Sequence, residues 1–543
     1  MKRTLLALLA IPLISVGCNP KPAGSGTPGN NTYPSGDQTY SPENVRKVLD
    51  KQQKAAFNFF YEGAEPQSGV ALEGNNRGNT VTIGGGGFGV MAIVTGIERG
   101  WITREQGKER IRKIIDFLKG ADRYKGAWSH WHNPDGSYVA FGDQKATGDL
   151  VETSYMIEGL IVAREYFDRS DAEETAIRND IDWLYDTVDW AGYTGENKDG
   201  LYWLWYSEQD RYSLKISGWN EGLASYLFAL GAKDGHDISP DLYERGWNVP
   251  VYPNRKVNGY VFPLGNNVTG GPLFFSHYSF LGFDPRHMQD SKAWYWQQNL
   301  SHTMINRHYC IYDAPASHGY NSCLWGLTAC YGAGSTPSYS ARNPKDDDGV
   351  IAPTAAISAF PYTPFYSAQV LMELDRIEAC QGEYGFADSY KPAEKVSNRN
   401  HLAIDQGPIV VMIENYRSGL IWNLFMKNER VKRALERAGI GEPVFREGFP
   451  FIAADTKTGL YDLMAHPDKE KYELEYYSDE SGKASFKILQ KATMDEIQSY
   501  ETDIQAGLSA FQFDDTKVTR GKPYIISMTL PSKKTYQIEA ILH

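Results

Sequence analysis

Cysteine is scarce, with five in 543 residues. Cys310, Cys323, Cys330 and Cys380 show no metal-ligand spacing, so they are expected as buried thiols or as one disulfide among the first three. No Lys/Arg-rich stripe interrupts a chain of net charge −12, which argues against nucleic acid as a partner. No Gly-x-Ser-x-Gly occurs, and with it goes the commonest hydrolase triad. Gly84 to Gly87 and Gly89 lack the Lys-Ser/Thr ending of a phosphate loop, so no nucleotide is expected. His130-Trp131-His132 lacks a third ligand nearby, and Asp346-Asp347-Asp348-Gly349 lacks full calcium spacing. No metal and no cofactor is expected. No fixed repeat period marks a solenoid.

The only long apolar run near the start, Leu5 to Val16, is too short to span a bilayer. It follows Lys2-Arg3 and ends in Ser15-Val16-Gly17-Cys18, which reads as a signal peptide over 1–17. Cys18 then stands where a bacterial lipoprotein is lipidated. The expected place is the cell envelope, lipid-anchored, facing periplasm or exterior. Residues 18–42, rich in Pro, Gly, Ser, Asn and Thr, read as a flexible tether.

Aromatic residues are plentiful, with 13 Trp and 35 Tyr. Flat apolar rings with one polar handle suit a core and suit a sugar equally. From 43 to 442 the pattern predicts helices over 43–60, 88–99, 104–119, 149–167, 174–189, 219–231, 292–307, 353–376, 407–426 and 428–438. So many helices can form a solenoid, an irregular bundle or an (α/α)6 toroid, and in the toroid parallel inner helices gather their N-termini at one face. From 443 to 543 the period changes to two, in segments such as Ala484 to Leu489 and Tyr524 to Leu530. A C-terminal antiparallel β-sandwich is expected there, with one helix near 493–504.

Three carboxylate stretches stand where apolar helices begin. Asp149 and Glu152 share a helix face, Glu221 follows Trp219-Asn220, and Asp405 opens Asp405-Gln406-Gly407-Pro408. Each has a capping explanation. Asp-x-x-Glu is a variant capping box, Asn220 is an N-cap candidate ahead of Glu221, and Asp405 with a following Pro fits a helix start. The alternative is a set of acids meeting at one end of a bundle, which glycosidic bond cleavage requires. Glu221 in a Trp-lined pocket would keep its proton and act as acid, and Asp405 would activate water. His130, Trp131, Trp205 and Trp219 are candidate sugar contacts, beside Trp128 and Trp203. Arg417 is expected to pair with Glu414 in support.

These motifs resemble the bacterial glycoamylase-like family, which includes the endo-β-1,2-glucanases of glycoside hydrolase family 144. The resemblance covers roughly residues 50–430. It is carried by Gly87-Phe88-Gly89-Val90-Met91-Ala92, Gly148 to Ser154, Trp219 to Gly222, Trp325-Gly326-Leu327-Thr328, Asp348 to Pro353, and Asp405 to Arg417. It implies the (α/α)6 toroid, inverting hydrolysis of β-linked glucans, Glu221 as acid, Asp405 as base, and Asp149 and Glu152 in the substrate cleft. Four residues before Asp149 the family's glucanases usually carry another Asp. Here Lys145 stands there, with Asp143 nearby, and the reversed charge would suit an acidic or differently linked glycan. A lyase using Tyr416, Arg417 and His130 on the same toroid, or a glycan-binding lipoprotein without catalysis, are the rival expectations.

Overall fold

The glycines at 84–87 lie inside a helix. In the computed structural model, helix α2 (Ile83–Glu98) starts five residues before the sequence pattern places it and takes in the whole run. A Cβ on Gly87 would fall onto the backbone carbonyl of Tyr155, and one on Gly159 onto that of Gly87. These glycines let α2 and helix α4 (Leu150–Tyr166) cross with backbones touching. The structure describes residues 42–141, 147–247, 249–253, 255–258, 260–443, 459–466, 471–514, 517–518 and 523–541. The signal peptide, Cys18, the tether up to 41, Asp143 and Lys145 lie outside the described residues.

The remaining helices in chain order are α1 (Pro42–Tyr61), α3 (Arg104–Gly120), α5 (Ala172–Asp186), α6 (Leu223–Gly231), α7 (Pro240–Gly246), α8 (Tyr295–His308), α9 (Pro353–Ile357), α10 (Pro364–Arg376), α11 (Ala403–Arg417), α12 (Leu420–Phe425) and α13 (Glu429–Arg437). They sort into two layers by burial. Helices α2, α4, α6 and α11 are buried almost all round, as inner helices must be. Helices α3, α5 and α13 bury a single stripe, such as Ile111, Ile114, Ile115 and Leu118 of α3. Helix α2 packs against α4, α11 and α3, and α6 packs against α4 and α13.

Two long helices of the sequence reading are each broken. The segment 353–376 divides into α9 and α10 around the turn before Pro364, and 407–426 divides at Gly419, whose φ of 69° suits glycine. Helix α7, capped by Ser239 with Pro240 following, was not anticipated. Within the described residues no helix is long and apolar enough to cross a membrane.

Contacts divide the chain into two compact units, one of them Val48–Val444. Inside it, strand β1 (Leu201–Tyr206) pairs with β2 (Arg211–Ile216) and with Gly148-Asp149 at the entry to α4. The other unit contains β3 (Gly459–His466), β4 (Lys471–Ser478), β5 (Gly482–Gln490), β6 (Glu496–Ile504), β7 (Gly507–Asp514), β8 (Pro523–Thr529) and β9 (Thr535–Ile541). They form antiparallel sheets in the orders β3-β4-β7 and β6-β5-β8-β9. Leu474 and Phe513 from one sheet and Phe486, Ile526 and Met528 from the other belong to one apolar cluster.

The expected helix near 493–504 is corrected to strand β6. Ile497, Tyr500 and Ile504 are spaced as on a helix face, but the segment pairs with β5 along its length. That ladder outweighs a local pattern made by three side chains.

Candidate active site

The starts of the inner helices are stitched to one another. Gly84 N–H, in the first turn of α2, donates to Glu152 Oε2 of α4 at 2.8 Å. Ala403 N–H, opening α11, donates to the carbonyl of Glu73. Thr354 Oγ1, at the start of α9, donates to the carbonyl of Asp405 at 2.9 Å. Tyr155 Oη of α4 donates to the carbonyl of Glu221 at 2.9 Å, just ahead of α6.

A cavity of about 320 Å³ opens here. Its acids are Glu73, Glu152 and Glu221, its cations Arg77 and His130, and its rings include Trp131, Trp203, Tyr155 and Tyr278. The volume is at the lower end of ordinary small-ligand sites.

Asp149 is the N-cap of α4, and its Oδ1 accepts the N–H of Glu152. Its other oxygen receives His130 Nδ1 at 2.8 Å, so capping and the site share one carboxylate. Glu152 Oε1 lies 3.9 Å from the same ring nitrogen. Burial opposes a charge on His130, yet Glu152, Asp149 and Glu73 outweigh it and push the imidazole up to about 9. The ring also stacks on Phe141 at 4.0 Å. Burial raises Glu152 to about 7 against the pull of His130, with Asp149 and Glu73 adding to the rise. His132 does not line the cavity and bonds the carbonyl of Asp122 instead. Among the described residues no group of three or more His, Cys, Asp or Glu is placed to hold a metal ion.

Glu221 sits two residues before α6 rather than on it. Asn220 Oδ1 accepts the N–H of Gly222 in an Asx turn, and Gly222, not Asn220, is the N-cap. Ser279 Oγ donates to the Glu221 carbonyl at 2.7 Å and accepts Ala224 N–H, so two hydroxyls fix the acid's backbone. Burial pushes the Glu221 carboxyl up to about 7, and the charges of Glu152 and Asp149 add to it.

Asp405 is the third residue of α11, with Leu402 as N-cap. It is buried, and its neighbours Leu402 and Ile404 line the cavity. Burial first, then the charge of Asp388, hold its carboxyl well above the usual carboxylate range. Tyr278 links the acids: burial raises its phenol, and Asp405, Glu221 and Glu152 all act on it.

The other expected contacts divide between the cavity and the core. Trp131 and Trp203 line the cavity. Trp205 stacks on Tyr124 at 4.3 Å, Trp219 packs between Phe280 and His302, and Trp128 lies fully buried under Arg123. Arg417 ends α11, twelve residues from Asp405 and so about 18 Å along the axis. It pairs with Asp50 and Gln53, while Glu414 pairs with Arg99. Both residues of the expected Glu414–Arg417 pair thus find partners on other helices, at α1 and at the C-cap of α2. Cys310, Cys330 and Cys380 are buried thiols. Glu73, Arg77, Tyr278 and Asp388 carry no local sequence signature and sit in loops and short turns. Tyr155 was within reach of inference, three residues past Glu152 on the same helix face.

Residues 213–429 match the family model Glycoamylase, described as "Putative glucoamylase". The structure superposes on an endo-β-1,2-glucanase from Chitinophaga pinensis, solved with sophorotriose and glucose, at a TM-score of 0.69. The two share 41% identity, over 74% of this chain and 99% of that one. The chain belongs to the glycoamylase-like family.

A β-1,2-glucanase from Parabacteroides distasonis gives a TM-score of 0.69 at 37% identity, over 73% of this chain and 60% of that one. A curated family member from the same organism, an exo β-1,2-glucooligosaccharide sophorohydrolase acting at the non-reducing end, is 39% identical over 442 residues. That match takes in 76% of this chain, which spans 59% of the relative's length.

Proposed function

We propose that this chain is a glycoside hydrolase that cleaves β-1,2-linked glucan chains with inversion, on an (α/α)6 toroid carrying a C-terminal β-sandwich. The observation that carries the reading is Glu221. Its carboxyl is raised to about 7 by burial, in a cavity walled by Trp131, Trp203 and Tyr155. A carboxyl that keeps its proton near neutrality can protonate a leaving glycosidic oxygen. Water attacks the anomeric carbon from the opposite face, and Asp405 takes its proton. His130 and Glu152 line the cavity with groups that suit sugar hydroxyls, and Asp149 holds His130 from behind. Support for the linkage comes from relatives named for β-1,2-glucan cleavage.

The test is digestion of linear β-1,2-glucan and its oligosaccharides beside β-1,3-, β-1,4- and α-linked controls, with product length and anomer followed by NMR. A new reducing end of α configuration on β-1,2-glucan is expected. Release of a β anomer removes inversion, and activity only on another linkage removes the substrate. An unsaturated product absorbing in the ultraviolet would identify a lyase instead.

We also propose that residue Cys18 carries lipid and that the protein is held at the bacterial envelope. Metabolic labelling with a clickable fatty acid should mark the wild type and not Cys18→Ala, which should leave the membrane fraction. Equal labelling of both would remove the anchor.

A further inference from the structure

Asp388 belongs to no motif singled out in the sequence, yet it meets the residue read as the base. It directly precedes the short strand Ser389–Lys391, and its Oδ2 accepts Tyr331 N–H at 2.6 Å. Asp388 and Asp405 are 2% and 1% exposed. Their carboxyls lie within hydrogen-bond reach of each other. Asp388 Oδ1 and both Asp405 oxygens have no other donor among the described residues. Two ionised carboxylates only accept hydrogen bonds, so this contact needs a proton between them. Two negative charges so close in a buried site repel until one is neutralised.

We propose that Asp388 is the proton-sharing partner of Asp405, and that the base of the reaction is this pair holding a single proton. The inference rests on the hydrolase reading above. In the resting state one proton lies between the carboxyls, and the pair carries one negative charge. When water attacks, its oxygen bonds to the anomeric carbon and its proton goes to a free oxygen of Asp405. The shared proton moves onto Asp388, which leaves both carboxyls neutral. The glycosidic bond breaks with its electron pair on the leaving oxygen, which takes the proton of Glu221. Loss of one proton from the pair to solvent and uptake of one by Glu221 restore the start. Asp388 acts through Asp405 and is therefore a positioning residue.

The surroundings favour one proton over none. Glu73 faces Asp405 with like charge. Cys330, Tyr278 and Tyr339 are neutral groups whose ionisation is opposed by burial first and by Asp405 among the nearby charges. Arg342 is the cation that favours ionised Asp388, but its guanidinium is engaged by Asp348 and by the carbonyl of Cys330. Burial also holds Asp388 above the usual carboxylate range, against the pull of Tyr331 N–H and Arg342.

The test compares wild type, Asp388→Asn and Asp388→Ala in the full chain, by pH profiles of kcat and kcat/KM on β-1,2-glucooligosaccharide and by thermal melts. Asn keeps a donor to Asp405, and Ala removes it. In the Ala variant the acidic limb of the profile should move up by about one pH unit or more and kcat should fall about tenfold or more, with KM little changed. The Asn variant should lie between. Folded variants whose acidic limbs coincide with that of wild type would overturn the role of Asp388.

The melts read the shared proton without any substrate. A native state that retains a proton released on unfolding loses stability as pH rises. From about pH 6 to about pH 9 wild type should therefore lose more melting temperature than Asp388→Asn. Equal slopes would overturn the shared proton even if the enzyme hydrolyses glucan. Different slopes in a chain that cleaves no glycan would overturn the hydrolase reading and leave the carboxyl pair standing.

Discussion

The backbone N–H of Gly84 holds Glu152 Oε2 at 2.8 Å, so the first turn of α2 fixes a carboxylate on the first turn of α4. A Cβ at position 84 would fall onto that oxygen. The side chain must then swing away from His130, and the helices can remain in place. Gly84→Ala is expected to fold and to lose about a hundredfold in kcat/KM, the scale of a displacement near one ångström. Gly87→Ala is the contrasting variant. Its Cβ meets the backbone of Tyr155, which cannot swing aside. It should lose stability by about 1–3 kcal/mol or fail to fold. Full activity in Gly84→Ala would show that the held position of Glu152 is dispensable.

Glu221 gives a pH signature of known sign. An acid raised to about 7 works only while protonated, so turnover should fall as pH rises through that region. Glu221→Gln keeps shape and hydrogen bonding but has no proton to give. Its kcat should drop about 10²–10⁴-fold with oligosaccharide affinity by calorimetry little changed. A basic limb that persists unmoved in the residual activity of this variant would assign it to another group, with Glu152, also near 7, next in line.

The inner helices were legible because burial on all sides leaves a continuous apolar record, as in Gly222 to Gly231. Asp149 was legible too, since a capping acid has a local signature, and the oxygen not used for capping bonds His130. Glu73 and Asp388 left no such record. They sit in loops whose position is set by distant partners, Ala403 for the first and Tyr331 for the second. Tryptophan misled in a physical way. The same ring serves a core or a sugar, so Trp131 and Trp203 reached the cavity while Trp205 and Trp219 became packing. Strand β6 shows the other limit, where a helix-like spacing of three side chains loses to a backbone partner.

His130 should contribute stability with the opposite dependence from a paired acid. Its imidazole is raised from 6.5 to about 9 by Glu152, Asp149 and Glu73 against the opposing effect of burial. A raised base stabilises the fold fully below its unfolded value, and that contribution disappears as pH rises through the folded one. A shift of this size is worth about 3 kcal/mol. His130→Gln should therefore be less stable than wild type at acidic and neutral pH, with the gap closing above about pH 9. Denaturant titrations at several pH values measure it, and a gap independent of pH would mean that the imidazole is neutral in the folded state.

Two arginines separate motif from site. Arg417 belongs to a family stretch, yet it faces Asp50 and Gln53 at the far end of α11. Arg77 belongs to no motif, yet it lines the cavity, with Nε on Tyr331 Oη at 3.1 Å and its guanidinium 6.0 Å from the Trp131 ring centre. A cation held by a phenol and an indole has donors left for sugar hydroxyls or ring oxygens. Arg77→Met is expected to raise KM about tenfold or more, the cost of one charge-assisted hydrogen bond, with a smaller effect on kcat. Arg417→Gln should leave both constants within about twofold but cost more stability than an exposed ion pair would, since the arginine side chain is only 5% exposed. Steady-state kinetics with paired melts decide it. A larger rise in KM for Arg417→Gln than for Arg77→Met would put the substrate at the other end of the inner helices.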